Sequence, residues 1–135
     1  MKIRGTDFVL YHVSDLSRAV KFYRDVLGLK QEILSEEYQW AEFNCGNLTL
    51  ALKGGAKAGE IPAGARLALA VGDITAAHAE LQAKGVSMAA PPQSHGNCQH
   101  LEVSDPDGHV VILHRRDDGT CGQQPGRTRT PRAKS

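Results

Sequence analysis

The hydrophobic and polar positions of this chain follow one order and then repeat it. An apolar strand pattern leads into a turn that carries Asp, then an amphipathic helix, then a glycine, first over residues 8–29 and again over residues 66–86. The matching positions are Val13 with Val71, Asp15 with Asp73, Leu16 with Ile74, Ala19 with Ala77, Gly28 with Gly85 and Leu29 with Val86. A repeat of roughly 60 residues is too long for a solenoid unit and predicts two copies of a small α+β module.

The order of the elements predicts an α+β fold built from two βαβββ modules, residues 5–53 and 65–116, within one domain, 1–118. Residues 54–64 are rich in Gly and Ala and are expected to link the modules. The predicted strands are 8–13, 31–35, 38–45, 48–53, 66–71, 86–90, 100–104 and 110–115, with tight turns at 46–47 and 105–108.

Two helices are expected, each with a polar cap and a terminal glycine. Ser14 or Asp15 would accept the first N–H groups of helix 1, whose apolar positions continue to residue 27 before Gly28. In the second copy, Asp73 is the cap and Gly85 is the stop.

Strand side chains alternate between two faces of a sheet, and here the two faces differ in chemistry. One face is almost entirely aliphatic and is expected to pack under the helices. The other carries Phe8, Leu10, His12, Trp40, Glu42, Asn44, Thr49, Ala51, Lys53, Arg66, Ala68, Ala70, His100, Glu102, Val110, Ile112 and His114. This mixed face predicts a cup for a small polar molecule, and the alternative is an ordinary solvent-facing sheet surface.

Composition narrows the class of protein. The 135 residues are 41% hydrophobic, which suits one packed domain, and no apolar run reaches the roughly 18 residues of a membrane span. The chain enters a strand pattern without a signal-peptide pattern, so a cytoplasmic location is expected. Its three cysteines lack C-x-x-C spacing and are expected to be free thiols.

The net charge of +1 conceals an uneven distribution. Residues 119–135 hold four basic residues and no acidic one, which leaves 12 basic residues against 15 acidic ones in the rest of the chain. This segment lacks apolar periodicity and is predicted to be a disordered, solvated tail. Four charges without interleaved aromatic residues argue against a nucleic-acid partner.

Three motifs point to a family. They are Val13-Ser14-Asp15-Leu16 with Ala19, Phe22-Tyr23 and Val26-Leu27-Gly28; Trp40-Ala41-Glu42-Phe43; and Asp105-Pro106-Asp107-Gly108-His109. Over residues 5–116 the chain resembles the vicinal oxygen chelate superfamily, which includes glyoxalase I, extradiol dioxygenases, fosfomycin-resistance enzymes and bleomycin-resistance proteins. The resemblance implies a cup-shaped mixed sheet made by paired modules, with the helices on its outer face, and a homodimer.

The resemblance also implies where a divalent metal would bind. Metalloenzymes of that superfamily place His, Glu or Gln ligands at positions that correspond here to Phe8, Ala51, Arg66 and Ile112. None of these four side chains is a neutral or anionic N or O donor. We therefore expect no cofactor and no metal at the usual position, as in the metal-free branch typified by bleomycin-resistance proteins.

The leading hypothesis is a cytoplasmic, homodimeric protein that binds a small molecule. Its expected ligand-binding residues are Phe8, His12, Trp40, Glu42, Arg66, His100, Glu102, Ile112 and His114. Trp40 would stack on a planar group. Arg66 would bind a carboxylate or phosphate, or pair with Glu42 or Glu102. The ligand is expected to be aromatic or anionic, and no membrane partner is expected.

Two alternatives stay open. An enzyme, such as a lyase, isomerase or dioxygenase, could use Glu42, His100 or Glu102 in metal-free acid–base catalysis. It could instead hold a metal on a displaced set, His12, His100, Glu102 and His114. The second alternative is a module without a ligand that uses its sheet surface for partners.

The other histidines are expected to have lesser roles. His78 on helix 2 and His109 in a turn are predicted to lie in solvent. His95 and Cys98 fall in a loop, residues 91–99, that is expected to cover the mouth of the cup.

Overall fold

The chain forms two compact units. The computed structural model describes residues 1, 2, 4, 6–62 and 64–123. Unit 1 comprises Met1–Gly64 together with Asp105–His109, and unit 2 comprises Ala65–Ser104 and the chain from Val110 onward. Each unit contains a four-stranded sheet, and the two sheets have the same strand order. The predicted α+β fold with two βαβββ modules is confirmed.

Unit 1 places its helix against the predicted apolar face of its sheet. Its elements are β1 (Val9–His12), α1 (Leu16–Lys21), a π-helical turn (Phe22–Val26), β2 (Lys30–Ser35), β3 (Trp40–Asn44) and β4 (Thr49–Lys53). The strands lie in the order β1-β4-β3-β2, with β1 parallel to β4 and the other neighbours antiparallel. The buried side chains of this face are Tyr11, Val13, Ala41, Phe43, Leu50 and Leu52.

Both helices begin after the predicted caps, and in both copies the helical segment ends before the predicted glycine. The carboxylates of Asp15 and Asp73 each accept the backbone N–H of the third following residue at 3.0 Å. Such a bond satisfies one of the N–H groups that a helix start leaves without a partner. Gly28 and Gly85 have φ angles of 73° and 75°, the left-handed conformation that glycine adopts readily at a helix end.

Helix 1 is not regular along its whole predicted length. The α-helix ends at Lys21, and Phe22–Val26 form a π-helical turn in which the N–H of Leu27 donates to the carbonyl of Phe22 at 3.0 Å. The wider turn leaves both Phe22 and Tyr23 buried. The helical period of 3.6 residues does not predict this turn. Phe22 and Tyr23 are adjacent aromatic residues, so the apolar pattern of an α-helix and that of a π-helical turn look alike here.

The Asp105–His109 turn lies against the helix of unit 1. Asp105 is buried, and its carboxylate accepts the hydroxyl of Tyr23 at 2.9 Å and the backbone N–H groups of Asp107 and His109 at 2.9 and 2.8 Å. Ser14 donates its hydroxyl to Asp107 at 2.6 Å. Burial, and next the Asp105 carboxylate, raises the pKa of the Tyr23 phenol far above its usual range.

His109 does not lie free in solvent, which corrects the prediction for this residue. Its ring stacks on Tyr11 with centroids 4.4 Å apart and an interplanar angle of 8°, and its Nε2 lies 2.8 Å from the carbonyl oxygen of His12. The turn motif brings this histidine back to β1 from almost a hundred residues away in the chain. Sequence spacing carries no sign of that contact.

Unit 2 repeats the arrangement, with β6 shortened to two residues where β2 has six. Its elements are β5 (Leu67–Ala70), α2 (Ile74–Ala83), β6 (Gln93–Ser94), β7 (Cys98–Ser104) and β8 (Val110–Arg116). The order is β5-β8-β7-β6, with β5 parallel to β8. The buried residues are Leu67, Ile74, Leu81, Cys98, Leu101, Val103, Val111 and Leu113.

The sixth strand lies later in the chain than predicted. Residues 86–90 form no strand, and β6 follows the two prolines, pairing with β7 through a tight hairpin. The backbone N–H of His95 donates to the carbonyl of Cys98 at 2.8 Å, and Gly96 takes a φ of 84° in the turn. Prolines 91 and 92 have no N–H to donate, so pairing starts only at Gln93. The predicted loop over residues 91–99 is therefore largely a hairpin.

Residues 119–123 continue from β8 with hydrogen bonds of their own. Arg116 donates to the hydroxyl of Thr120 at 3.3 Å and to the carbonyl of Gly122 at 3.1 Å. The rest of the predicted tail, residues 124–135, lies outside the described residues. Across the described chain, no helix has the length and apolar character needed to cross a membrane.

The three cysteines are unpaired with one another, as predicted. Cys98 is buried, Cys45 is half-buried and Cys121 is exposed. Burial raises the pKa of the Cys45 thiol, which keeps it in the weakly nucleophilic protonated form.

Candidate functional site

The polar face of unit 1 is ordered in rows across three strands. The register places Leu10 beside Ala51 and Ala51 beside Glu42, and the next row is His12, Lys53 and Trp40. Phe8 lies two residues before Leu10 and so at the start of the same face. The predicted face assignment for unit 1 is therefore confirmed by the pairing.

Phe8 and Trp40 approach each other across β4. They come from opposite sides of that strand, which separates β1 from β3 by roughly 10 Å. Their ring centroids nevertheless lie 5.8 Å apart, edge to face at 90°. The rings therefore meet above the row formed by Leu10, Ala51 and Glu42, here called the middle row of unit 1, in which Ala51 contributes only a methyl group. Ala51 is completely buried although it belongs to the polar face.

Glu42 holds the Trp40 indole in place. Its carboxylate accepts the indole N–H at 2.8 Å, and both residues are half-buried. With its one polar atom bonded, the indole offers an apolar ring for stacking. The neighbouring Phe8 and Leu10 are 47% and 37% exposed, which is high for large apolar side chains. This part of the sheet thus combines an aromatic pair, aliphatic surface and one carboxylate.

The polar face of unit 2 also consists of aligned rows. One row is Ala68, Ile112 and Glu102, and the next is Ala70, His114 and His100, followed by Gln93 on β6. Ile112, His100 and His114 are half-buried. The predicted assignment of these residues to one face is confirmed by the register.

Four side chains of unit 2 form a continuous chain of contacts, here called the polar chain: Arg66, Glu102, His100 and His95. Nη1 of Arg66 lies 3.5 Å from both carboxylate oxygens of Glu102, so the predicted pairing with Glu42 or Glu102 is confirmed for Glu102. Nε2 of His100 lies 3.9 Å from Glu102 Oε1. Nδ1 of His100 faces Nε2 of His95 at 2.5 Å.

His95 is the member of the polar chain that sequence reasoning placed elsewhere. It stands in the β6–β7 turn, and its ring lies nearly parallel to that of His100, with centroids 4.6 Å apart and an interplanar angle of 18°. The signal that could have revealed it is the spacing of five residues around Gly96, which brings positions 95 and 100 together only if a tight hairpin forms.

The displaced metal set considered from the sequence has members in both units. His100 and Glu102 are neighbours, and His114 lies opposite His100, whereas His12 belongs to unit 1. Among the residues that the structure describes, no three or more His, Cys, Asp or Glu side chains are arranged to hold a metal ion.

A cavity of about 390 Å³ opens beside this face of unit 2. Its floor includes the methyl groups of Ala68 and Ala70, and its rim includes His114, Arg116 and Thr120. The small floor residues leave room above the sheet, while the rim supplies positive charge and hydrogen-bond donors. Such a cavity suits a small molecule with polar substituents.

The repeated modules and their mixed faces define a class of protein. The family model of the Glyoxalase/Bleomycin resistance protein/Dioxygenase superfamily matches residues 5–113. The chain belongs to this superfamily.

The matches to individual curated relatives cover less of the chain than the family model does. The metallothiol transferases FosB of Staphylococcus haemolyticus and of Staphylococcus epidermidis are each 42% identical to the chain over 50 residues. That match covers 37% of this chain and 34% of either relative, so the chain spans about a third of the length of the curated relatives it matches.

Solved structures share the fold over nearly the whole chain. A glyoxalase/bleomycin resistance protein/dioxygenase from Nocardioides has a TM-score of 0.70 at 20% identity, covering 93% of this chain and 92% of that one. A glyoxalase family protein from Bacillus anthracis has a TM-score of 0.70 at 24% identity, covering 86% and 98%. At these identities the likeness establishes the fold alone.

Proposed function

We propose that this chain binds a small molecule without a metal at the position usual for its superfamily. The observation that carries the proposal is the Phe8–Trp40 pair over Ala51. The resemblance implies that Phe8 and Ala51 stand at two of the usual ligand positions, and they contribute an aromatic ring and a buried methyl group. The residues present offer no lone pair to a cation and instead provide apolar surface.

The corresponding positions in unit 2 support the same proposal. Arg66 carries a fixed positive charge and is paired with Glu102, so this position repels a cation. Ile112 lies between Ala68 and Glu102 in the sheet and offers only hydrocarbon. The proposal is therefore that these four side chains hold no divalent metal, since none of them is a neutral or anionic N or O donor.

The chemistry of the two faces indicates the ligand class. The ring faces of Trp40 and Phe8 suit a planar apolar group, with Glu42 as a nearby acceptor. Arg66 and the histidines of unit 2 suit a carboxylate or phosphate. The proposed ligand is therefore aromatic or anionic. As expected from the sequence and the resemblance, the protein is also proposed to be a cytoplasmic homodimer.

Thermal unfolding in the presence of EDTA tests the proposal. Neutral planar aromatic amides and small carboxylates are added as separate panels to the full chain. A bound compound at 100 times its Kd should add about 2.7 kcal/mol to the free energy of unfolding. A compound that stabilises the chain only when a divalent metal is present, beyond the stabilisation that the metal alone produces, would contradict the proposal.

Single substitutions test which sheet face binds which panel of compounds, the aromatic amides or the carboxylates. Trp40→Ala should abolish stabilisation by the amides. Arg66→Met should weaken carboxylate binding by about 1.5–3 kcal/mol, the contribution of a hydrogen bond to a charged group. Lys57→Met, which removes an exposed cation paired with Glu60 in unit 1, should leave both panels unchanged. Equal loss in Lys57→Met would indicate a non-specific charge effect.

A second candidate function is an enzyme that uses the polar chain for acid–base catalysis. The contacts of His100 with His95 at 2.5 Å and with Glu102 at 3.9 Å favour it, because a nearby carboxylate favours a hydrogen on the ring nitrogen that faces it. The partial likeness to metallothiol transferases also leaves a transfer reaction open. In that case His100→Ala or Glu102→Ala should abolish turnover while circular dichroism shows an unchanged fold.

A further inference from the structure

The polar chain has an arrangement that neither the metal-free proposal nor the usual metal position of the superfamily explains. Two imidazole nitrogens, Nε2 of His95 and Nδ1 of His100, point at each other at 2.5 Å across the β6–β7 hairpin. Only one of the two can carry a hydrogen between them, so the other presents its lone pair to that hydrogen. Two converging imidazole lone pairs are also the donor set of a transition-metal chelate.

Glu102 prepares His100 for such a role. Its carboxylate lies 3.9 Å from Nε2 of His100, beyond hydrogen-bond distance, and its negative charge favours a hydrogen on that nitrogen. The lone pair of His100 is then on Nδ1, the atom that faces His95. A carboxylate behind a ligating histidine fixes ring orientation and raises ligand basicity in metal sites. Arg66 in turn holds Glu102 at 3.5 Å from both oxygens.

We propose that His95 and His100 form a clasp for a divalent transition metal, with Glu102 as the carboxylate that orients His100. The metal ion takes the place of the hydrogen between the two nitrogens, and His95 regains a proton from solvent on its Nδ1, so both ligands are neutral imidazoles and no net proton is released. Nickel, copper and zinc are the ions that imidazole ligands suit, and water would complete the coordination. The site lies at the hairpin and uses none of the positions 8, 51, 66 or 112 as a ligand.

The geometry requires only a small adjustment. Two nitrogen ligands at 2.0–2.1 Å in a tetrahedral site lie about 3.3 Å apart, so the nitrogens must separate by less than about 1 Å. His95 is exposed in a hairpin turn, and rotation of its side chain supplies that movement. His100 is 21% exposed in its side chain, which leaves the pair open to ions from solvent.

Titration of the full chain with Ni²⁺ by isothermal calorimetry tests the clasp. A Cys121→Ser background removes the exposed thiol as a competing ligand. His95→Ala and His100→Ala should each weaken Ni²⁺ binding at least tenfold, and Glu102→Gln should weaken it by roughly 10–100-fold, as loss of an orienting carboxylate does. His78→Ala is the matched control on α2 and should leave binding unchanged.

Two results would overturn the proposal. One is Ni²⁺ affinity in His95→Ala equal to that of the parent chain. The other is paramagnetic broadening that reaches the imidazole signals of other histidines before those of His95 and His100. Thermal unfolding in EDTA identifies any variant that fails to fold, and His95→Gln in the exposed turn then replaces it. Because the small-molecule test is performed in EDTA, its outcome is independent of this one.

Discussion

Tyr23 and Asp105 form the most buried polar contact that the structure describes in unit 1. The phenol is fully buried and donates to a carboxylate that also accepts two backbone N–H groups. The carboxylate therefore has partners only while the turn and the helix stay together. A buried network of this kind is stabilising when complete and costly when one donor is removed.

Tyr23→Phe should lower the free energy of unfolding by about 1.5–3 kcal/mol at pH 7, because a buried carboxylate loses a hydrogen-bond donor. Urea unfolding measures the change. Tyr38→Phe is the control, since Tyr38 is 67% exposed, and it should change stability by less than about 0.5 kcal/mol. Equal stability of Tyr23→Phe and the parent chain would show that the contact contributes nothing.

The raised pKa of Tyr23 also predicts a pH dependence. The folded state keeps the phenol protonated, whereas the phenol of the unfolded chain ionises near its usual pKa of about 10. The stabilisation is therefore complete below about pH 10 and is lost as pH rises further, at up to about 1.4 kcal/mol per pH unit. The difference between the parent chain and Tyr23→Phe should shrink over that range. A difference that stays constant up to pH 11 would contradict this assignment.

Ala51 tests whether the Phe8–Trp40 pair closes over the middle row of unit 1. Ala51→Leu adds three carbons where no space remains, and overpacking of this kind costs about 1–3 kcal/mol. Ala68→Leu is the matched control, because Ala68 lies on the polar face of unit 2 and is exposed. Differential scanning calorimetry should show a lower melting temperature for the first variant and little change for the second. Similar effects in both would mean that Ala51 is not covered.

At the scale of elements, the repeat makes a paired prediction about the helix caps. Asp15→Ala and Asp73→Ala remove equivalent bonds of 3.0 Å, so each should lower stability by about 1 kcal/mol. Asp15→Asn and Asp73→Asn keep an accepting oxygen and should lose only a fraction of that. Chemical denaturation of the four variants provides the comparison. A large asymmetry between the two alanine variants would show that the modules are not equivalent at this position.

The hairpin of β6 and β7 is the element on which the polar chain depends. His95 and His100 are five positions apart in the chain, and only the turn at Gly96 brings their side chains into contact. The prolines before β6 set the start of pairing and so decide which residues face one another. A short element with little hydrophobic content therefore positions two neighbouring histidine side chains of unit 2.

For the whole molecule, Arg116 contacts Thr120 and Gly122, which belong to the segment 119–135 that was predicted to be a disordered tail. The segment 124–135 contains no large apolar side chain. Truncation after Gln123 should therefore leave the melting temperature and the oligomeric state unchanged. Calorimetry and analytical ultracentrifugation at low and high salt measure both. A dimer lost on truncation in a salt-dependent way would show that the basic residues contribute to assembly.

The local elements of this fold follow from the sequence because their causes are local. Asp15, Gly28, Asp73 and Gly85 act within one helical turn, so their chemistry identifies the helix ends directly. Alternation along the strands likewise separates the two faces, and the sheet register agrees with that separation. The repeat then predicts the same strand order twice.

The tertiary structure decided the contacts that join distant parts of the chain. Tyr23 meets Asp105 across 82 positions, and His109 meets the carbonyl of His12 across 97, and neither contact leaves a periodic signal. The Phe8–Trp40 pair depends on β4 lying between β1 and β3, and the His95–His100 pair depends on where two prolines allow pairing to begin. Sequence patterns report which face a side chain occupies, whereas strand order and register determine which side chain it meets there.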